Sequence, residues 1–355
     1  MTTTPTLAVA EAANAIFSTN YIPVAVFVGG TSGVGQAMAE AFARQTKGFA
    51  HIIIIGRSAA AAERILADFP KPGPLKTSSG WAHEFVQCDA TSIKSVRVAC
   101  GALRARLGRI NFLVISAGGP MANSMVLSQQ IPEGLDESLA MRYFMRYTFL
   151  KELVPLLESA RKEGQHAHFM TIQGAGFGAS IPTQDLGLQE AKKHAWNFTK
   201  GMTPVGSLFF AYNDGLVAYF AAEHPNIAFT HISPGQVRTV GGAISTMGWL
   251  FAPLKWLFNT LKAIMGTSQD ESAQYMLYAL LDSSAERGVF FRGSRGQVIS
   301  SHVSDVDHKG WEDFALPTAH KAGVFNGFTL KGYGGSDATV SGLIHYTEKV
   351  LGDIE

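Results

Sequence analysis

Cysteine is nearly absent from this chain of 355 residues. Cys88 and Cys100 are its only two, and their separation fits no metal-ligand spacing. That excludes a disulfide framework and a structural zinc cluster, and it suits a reducing compartment. Excess charge is lacking too. Lys and Arg number 29 against 28 Asp and Glu, a formal net of +1, so no global attraction to nucleic acid or to an anionic membrane is expected. No uninterrupted apolar run reaches the length of a membrane span. The opening Met1-Thr2-Thr3-Thr4-Pro5 has neither the basic residues nor the apolar run of a signal peptide. A soluble cytoplasmic protein without a metal site is the expectation.

What is present is apolar residue in quantity, 46% of the chain, enough for a substantial core. The length permits two domains or one large α/β domain. No repeat, low-complexity tract or linker divides it, so a single domain over residues 1–355 is expected. Its organising stretch runs from Val24 to Gly35 (VAVFVGGTSGVG). Five apolar residues read as a buried parallel strand, a glycine turn follows, and Gln36 to Arg44 has helical periodicity. Strand, tight turn and helix make a cradle for a dinucleotide phosphate. Gly29 lets the chain turn, Gly33 lets the backbone approach the pyrophosphate, and Gly35 lets helix and strand pack closely. The amides of the turn and the positive helix end, through Thr31, Ser32 and Val34, face the phosphate charge.

Strand-like runs then alternate with helical ones. Residues 6–18 read as a short helix, and His51 to Arg57, Glu84 to Asp89, Asn111 to Gly119, His168 to Ile172, Ile227 to Ile232 and Val289 to Phe291 as strands. Between them lie helices over about 59–69, 92–107, 136–161 and 204–223. Such alternation predicts a parallel sheet covered on both faces, and right-handed crossovers after a cradle predict an α/β, doubly wound, Rossmann-type fold.

These residues resemble the short-chain dehydrogenase/reductase family. Gly29, Gly33 and Gly35 match its glycine motif, and Asp89 matches the acidic residue beside the adenine. Ser116-Ala117-Gly118 resembles its Asn-Ala-Gly motif, with Ser in place of Asn. Ser233 to Thr239 resembles its Pro-Gly segment, which implies that Pro234, Gly235, Val237 and Thr239 line the nicotinamide. The motifs fall in family order over about residues 22–300. Phe27 to Gly33, Glu133 to Asp136, Arg142 to Arg146 and His224 to Gly235 further resemble a fungal branch whose members often serve secondary-metabolite pathways.

The second strand ends in Gly56-Arg57-Ser58 with no carboxylate nearby. A carboxylate there would accept from the ribose 2′-hydroxyl, whereas Arg57, seconded by Ser58, suits a 2′-phosphate. The expected cofactor is NADP(H).

The family's Ser, Tyr, Lys and Asn are missing. Tyr147 and Lys151 have the Tyr-x-x-x-Lys spacing but lie on the helix before the fifth strand, where the family motif lies after it. Aligned on the end of the later helix, the Tyr position falls at about Gly206 and the Lys position at about Phe210. The Ser position falls at Gln173 or Gly174, and the Asn position near Arg142. Arg142, which shares a helix face with Arg146, is a candidate stabiliser of a developing oxyanion. Tyr143 is the nearest phenol, Gln173 a candidate donor to a carbonyl, and His194 and Tyr212 are further donors.

Residues 240–265 are rich in Trp, Phe and Leu. Within an expected lid over about 240–270 they suit an apolar small-molecule substrate; contact between copies of a homo-oligomer and peripheral membrane contact compete with that reading. The tail, about 297–355, carries glycine-bearing stretches without a cradle's strand and helix, and reads as a surface extension. The leading expectation is an NADP(H)-dependent oxidoreductase acting on a carbonyl, alcohol or activated alkene of an apolar small molecule. A non-redox isomerisation or cyclisation in the same pocket and a non-catalytic nucleotide sensor are its rivals.

Overall fold

The computed structural model describes residues 4–71, 82–118, 129–194, 205–238, 266–302, 324–325, 328–329 and 337–354. Helix α1 (Leu7–Ala15) leads into β1 (Val24–Val28), α2 (Gly33–Gln45), β2 (His51–Gly56), α3 (Ala59–Ala67), β3 (Glu84–Gln87), α4 (Ile93–Arg104) and β4 (Phe112–Ile115). A short α5 (Glu137–Leu139) passes through a π turn (Ala140–Phe144) into α6 (Met145–Lys162). Then come β5 (His168–Ile172), α7 (Gln189–His194), α8 (Val205–Glu223), β6 (Ala228–Ile232), α9 (Gln269–Leu280), β7 (Gly288–Arg292) and β8 (Val298–His302). A two-stranded hairpin, β9 (Val324–Phe325) with β10 (Phe328–Thr329), and α10 (Asp337–Gly352) complete the order.

The main sheet has the order β3-β2-β1-β4-β5-β6-β7-β8. Its strands are parallel through β7, and β8 alone runs antiparallel at the edge. The order reverses between β1 and β4, which leaves a crevice at their carboxyl ends. The strands read as continuous apolar runs because both faces are covered. Val24, Val26 and Val28 point to the core beneath α4, α6, α8 and α10, while Ala25 and Phe27 point to the one beneath α1, α2 and α9.

Three features depart from the sequence expectation. The sheet is mixed, since β8 joins antiparallel to β7. The helix expected over 136–161 is broken by the π turn, which carries Arg142 and Tyr143. The tail is more than a surface layer: Leu343, Ile344 and Leu351 of α10 are buried in the main core, and Arg97 of α4 donates to the carbonyls of Leu351 and Ile354. The stretches 326–327 and 331–335, and residues 240–265 of the lid expected over about 240–270, lie outside the described residues. Among the described residues no helix is long and apolar enough to cross a membrane, and no group of three or more His, Cys, Asp or Glu could hold a metal.

Candidate functional site

The glycine turn is fixed by close approach to the end of β4. Gly29 has φ +84°, and a Cβ there would stand 2.6 Å from the Ala117 nitrogen. A Cβ on Gly35 would overlap Ser116 Oγ and come within 2.6 Å of the Gly29 oxygen. The Ser116 hydroxyl donates to the carbonyls of Val28 and Gly29 at 3.2 and 3.4 Å, so Ser116 ties the turn to its neighbouring strand. Gly33, at φ +62°, opens α2. Ser32 precedes it as N-cap, yet its side chain makes no capping hydrogen bond. The first amides of such a helix have no intrahelical partner.

Thr31 packs on the tip of β2, where a Cβ on Gly56 would lie 2.7 Å from Thr31 Oγ1. Beyond it, Arg57 is exposed, with no ion pair to any of the described residues. Ser58 instead caps α3, accepting from the Ala61 amide at 3.2 Å. Asp89 is exposed at the end of β3, its Oδ1 accepting from the Thr91 amide and hydroxyl at 3.0 and 2.8 Å. Gly118 continues β4 beyond Ala117. After β6, Gly235 turns at φ +74°, and the Pro234 carbonyl accepts from Ser272 at 3.4 Å. Val237 is buried in a parallel bridge with Thr267. Thr239 lies outside the described residues.

Opposite the cradle the groups expected to do chemistry are replaced by packing. Gly174 follows β5, and the Phe210 ring of α8 lies across it; a Cβ on Gly174 would be 2.5 Å from Phe210 Cε2. Gly206, one turn earlier on α8, presents no side chain. Tyr143 is withdrawn as an acid. It is wholly buried, its hydroxyl is hydrogen bonded to Thr347 of α10 at 2.9 Å, and burial pushes its pKa well up. Tyr212 is likewise buried, donating to the Leu186 carbonyl at 3.0 Å. The side chain of His194 lies outside the described residues. His231 and Asp214, 2.6 Å apart, are closed off from solvent.

In place of the family's four residues stands a buried polar network. Arg146, wholly buried, donates from Nε to Thr171 Oγ1 at 2.9 Å, from Nη1 to the Met141 carbonyl at 2.8 Å and from Nη2 to the Ala117 carbonyl at 2.5 Å. Thr171 in turn donates to Asn213 Oδ1 at 3.3 Å. The Asn213 amide reaches Gln173 Oε1 and the Arg142 carbonyl, both at 3.0 Å. Gln173 Nε2 donates to that same carbonyl at 3.1 Å. The π turn explains this: its widened helix leaves the Arg142 carbonyl open to side chains, and such turns concentrate at functional sites. Arg142 itself is buried, with its guanidinium carbon 5.9 Å from the Phe209 ring centre, and desolvation lowers its pKa to about 10. Burial, reinforced by the neighbouring Arg142 charge, lowers Arg146 to about 9, which leaves it a cation at neutral pH.

Mutually packed glycines, a cradle at the crevice and the β3-β2-β1-β4 order together decide the relationship. Over part of its length the chain is similar to the short-chain dehydrogenase/reductase family. Its residues 23–167 match the family described as short chain dehydrogenase. It is 31% identical over 216 residues to the oxidoreductase andH of Emericella variicolor, a match covering 61% of this chain and 58% of that protein. It is 32% identical over 221 residues to the oxidoreductase AN1596 of Emericella nidulans, again covering 61% and 58%. The match therefore spans little more than half the length of these relatives. In fold it is similar to the L-sorbose reductase of Gluconobacter frateurii, solved with NADPH and L-sorbose, with TM-score 0.52, 19% identity, and coverage of 81% of this chain and 98% of that one.

Thr171 and Asn213 escape a reading of the sequence that looks for motifs. Each is a polar residue within an apolar strand or helix, and such a residue needs a buried partner. That was the available signal.

Proposed function

We propose that this protein is an NADP(H)-dependent oxidoreductase acting on the carbonyl, alcohol or activated alkene of an apolar small molecule, in secondary metabolism and in the cytoplasm. One observation carries the reading: the Gly29–Gly35 turn is packed onto Ser116 and Ala117, with Arg57 exposed beside it. The donor chemistry fits a dinucleotide. The α2 amides and Ser32 take the pyrophosphate, Arg57 a 2′-phosphate through its planar fork, and Asp89 the adenine edge. Ser116 to Gly118 and Pro234 to Val237 flank the nicotinamide. The names of the Emericella relatives and the NADPH held by the sorbose reductase support the reading, as does the aromatic composition of 240–265.

The bound nicotinamide would supply or accept a hydride. This chain binds it, aligns the substrate and excludes water. Phe210 and Gly174 give that wall an apolar surface. Gln173, held by Asn213 and by the Arg142 carbonyl, retains one amide hydrogen for a substrate oxygen. Arg142, buried against Phe209, contributes through its field.

The test is cofactor affinity in wild type and Arg57→Ala. NADPH should bind more tightly than NADH, and the variant should weaken NADPH by about 10- to 100-fold, a loss of ~1.5–3 kcal/mol, while leaving NADH unchanged. Equal affinities, unaltered in the variant, contradict the assignment. The same apolar wall also supports a second reading, isomerisation or cyclisation guided by shape, which predicts product without net NADPH consumption.

A further inference from the structure

Hydride delivered to an isolated ketone or aldehyde leaves an alkoxide, about as basic as hydroxide, whose parent water has a pKa of ~15.7. Such a product calls for a proton donor at the oxygen. At the family's donor positions this chain has about Gly206, and Gln173 or Gly174, none of them an acid, and the Phe210 ring fills the space over Gly174. Tyr143, Tyr212 and the His231–Asp214 pair are buried and hydrogen bonded elsewhere.

Positive charge, by contrast, is built in. Among the described residues no carboxylate pairs with Arg146, and its partners are two carbonyls and one hydroxyl, all neutral. Its Nη2 lies 3.7 Å from where a Cβ on Gly118 would stand, directly behind the β4 end that flanks the nicotinamide position. A buried cation compensated by dipoles alone keeps its field at the adjoining surface, where it stabilises negative charge as it develops.

We propose that the acceptor is a conjugated carbonyl, an enone or a quinone, whose reduction leaves a delocalised oxyanion stabilised by the buried Arg146; this rests on the oxidoreductase reading above. In the enone case a hydride, carrying two electrons, forms a C–H bond at the β-carbon. The alkene π pair moves to the bond between the α-carbon and the carbonyl carbon, the carbonyl π pair moves onto oxygen, and the nicotinamide is oxidised. The enolate then takes its proton from water. A quinone gives a hydroquinone anion, whose oxygen titrates like a phenol near ~10, so water suffices there too. An iminium acceptor also needs no acid, but the same cations repel it. Arg146 acts through the Ala117–Gly118 backbone and is a positioning residue for charge.

The full chain is tested with NADPH and three probes: 1,4-naphthoquinone, 4-phenyl-3-buten-2-one and benzaldehyde. After subtraction of the uncatalysed rate, at least one of the first two should show kcat/KM at least about 100-fold above benzaldehyde, and with little dependence on pH between 6 and 8, since no side-chain acid titrates in the step. Comparable or faster benzaldehyde turnover overturns the proposal and leaves the oxidoreductase reading standing. NADPH that fails to bind, or that no probe consumes, overturns both. A second readout needs no turnover: 4-nitrophenol, titrated by absorbance with protein and NADP+, should bind about tenfold more tightly as the anion. Arg146→Met should abolish that preference and Arg146→Lys should largely restore it. If Arg146→Met does not fold, the wild-type titration decides alone, and equal affinity for phenol and phenolate, or no binding, overturns the electrostatic role.

Discussion

The Phe210 ring lies across Gly174, so close that a Cβ on the glycine would come within 2.5 Å of Phe210 Cε2. Phe210 stands at about the family's Lys position and Gly174 at one of the two candidates, with Gln173, for its Ser position, and the contact leaves no room for a larger side chain at Gly174. Packing, rather than a displaced hydroxyl, occupies that corner of the site.

Gly174→Ser should therefore destabilise the fold by roughly 1–3 kcal/mol through overpacking. Combined with Phe210→Ala, the loss should be smaller than the sum of the single changes by about 0.5–3 kcal/mol. Urea unfolding of the four proteins measures it. Additive effects would show that the ring and the glycine are not in contact.

Tyr143 belongs to the core. Tyr143→Phe removes its hydrogen bond to Thr347 and should cost about 0.5–1.5 kcal/mol. It should leave kcat/KM unchanged, because the hydroxyl faces α10 and not the crevice. A large loss of turnover at unchanged stability would return Tyr143 to the list of acids.

Stability should fall in acid, with a sign set by His168. It is buried, its Nδ1 2.9 Å from the Leu280 carbonyl and its Nε2 2.7 Å from Thr230 Oγ1. Burial, with a smaller contribution from the Arg292 charge, holds its pKa down to about 3, against ~6.5 in the unfolded chain. Below that value the unfolded state binds a proton that the folded state refuses. The contribution is complete above pH ~6.5 and is lost as pH falls toward 3, at up to ~1.4 kcal/mol per unit. His83, lowered by burial to about 4, adds to the slope in the same direction. Denaturant unfolding at stepped pH should show a shallower slope in His168→Gln; an unchanged slope contradicts the assignment.

Much of the fold is legible in the residues because periodicity records burial. Val24 to Val28 and Ile52 to Ile55 are continuous apolar runs because helices cover both faces of the sheet. β8 is harder to read: Val298-Ile299-Ser300-Ser301-His302 has too little apolar character to announce a strand. Helix α9 did carry a signal, since Ser268 and Glu271 form a capping box, both halves of which are made in the structure. The π turn at Ala140–Phe144 has no sequence signature, so the shared face of Arg142 and Arg146 could be expected but not their separate surroundings. On the nucleotide side of the site, glycine identity reports close approach directly, as at Gly29 and Gly35. On the chemical side, an absent motif says which groups are missing and leaves unsaid what packs in their place.

The central claim, a nucleotide site that transfers hydride without the family's side-chain acid, is tested most directly by isotope transfer. NADPH carrying deuterium at the transferred C4 position is incubated with the full chain and 4-phenyl-3-buten-2-one, and the product is examined by mass spectrometry and NMR. A single deuterium on the β-carbon of the saturated ketone is the predicted result. Product lacking the label, or no reduced product from either this enone or 1,4-naphthoquinone while NADPH is demonstrably bound, would contradict the account.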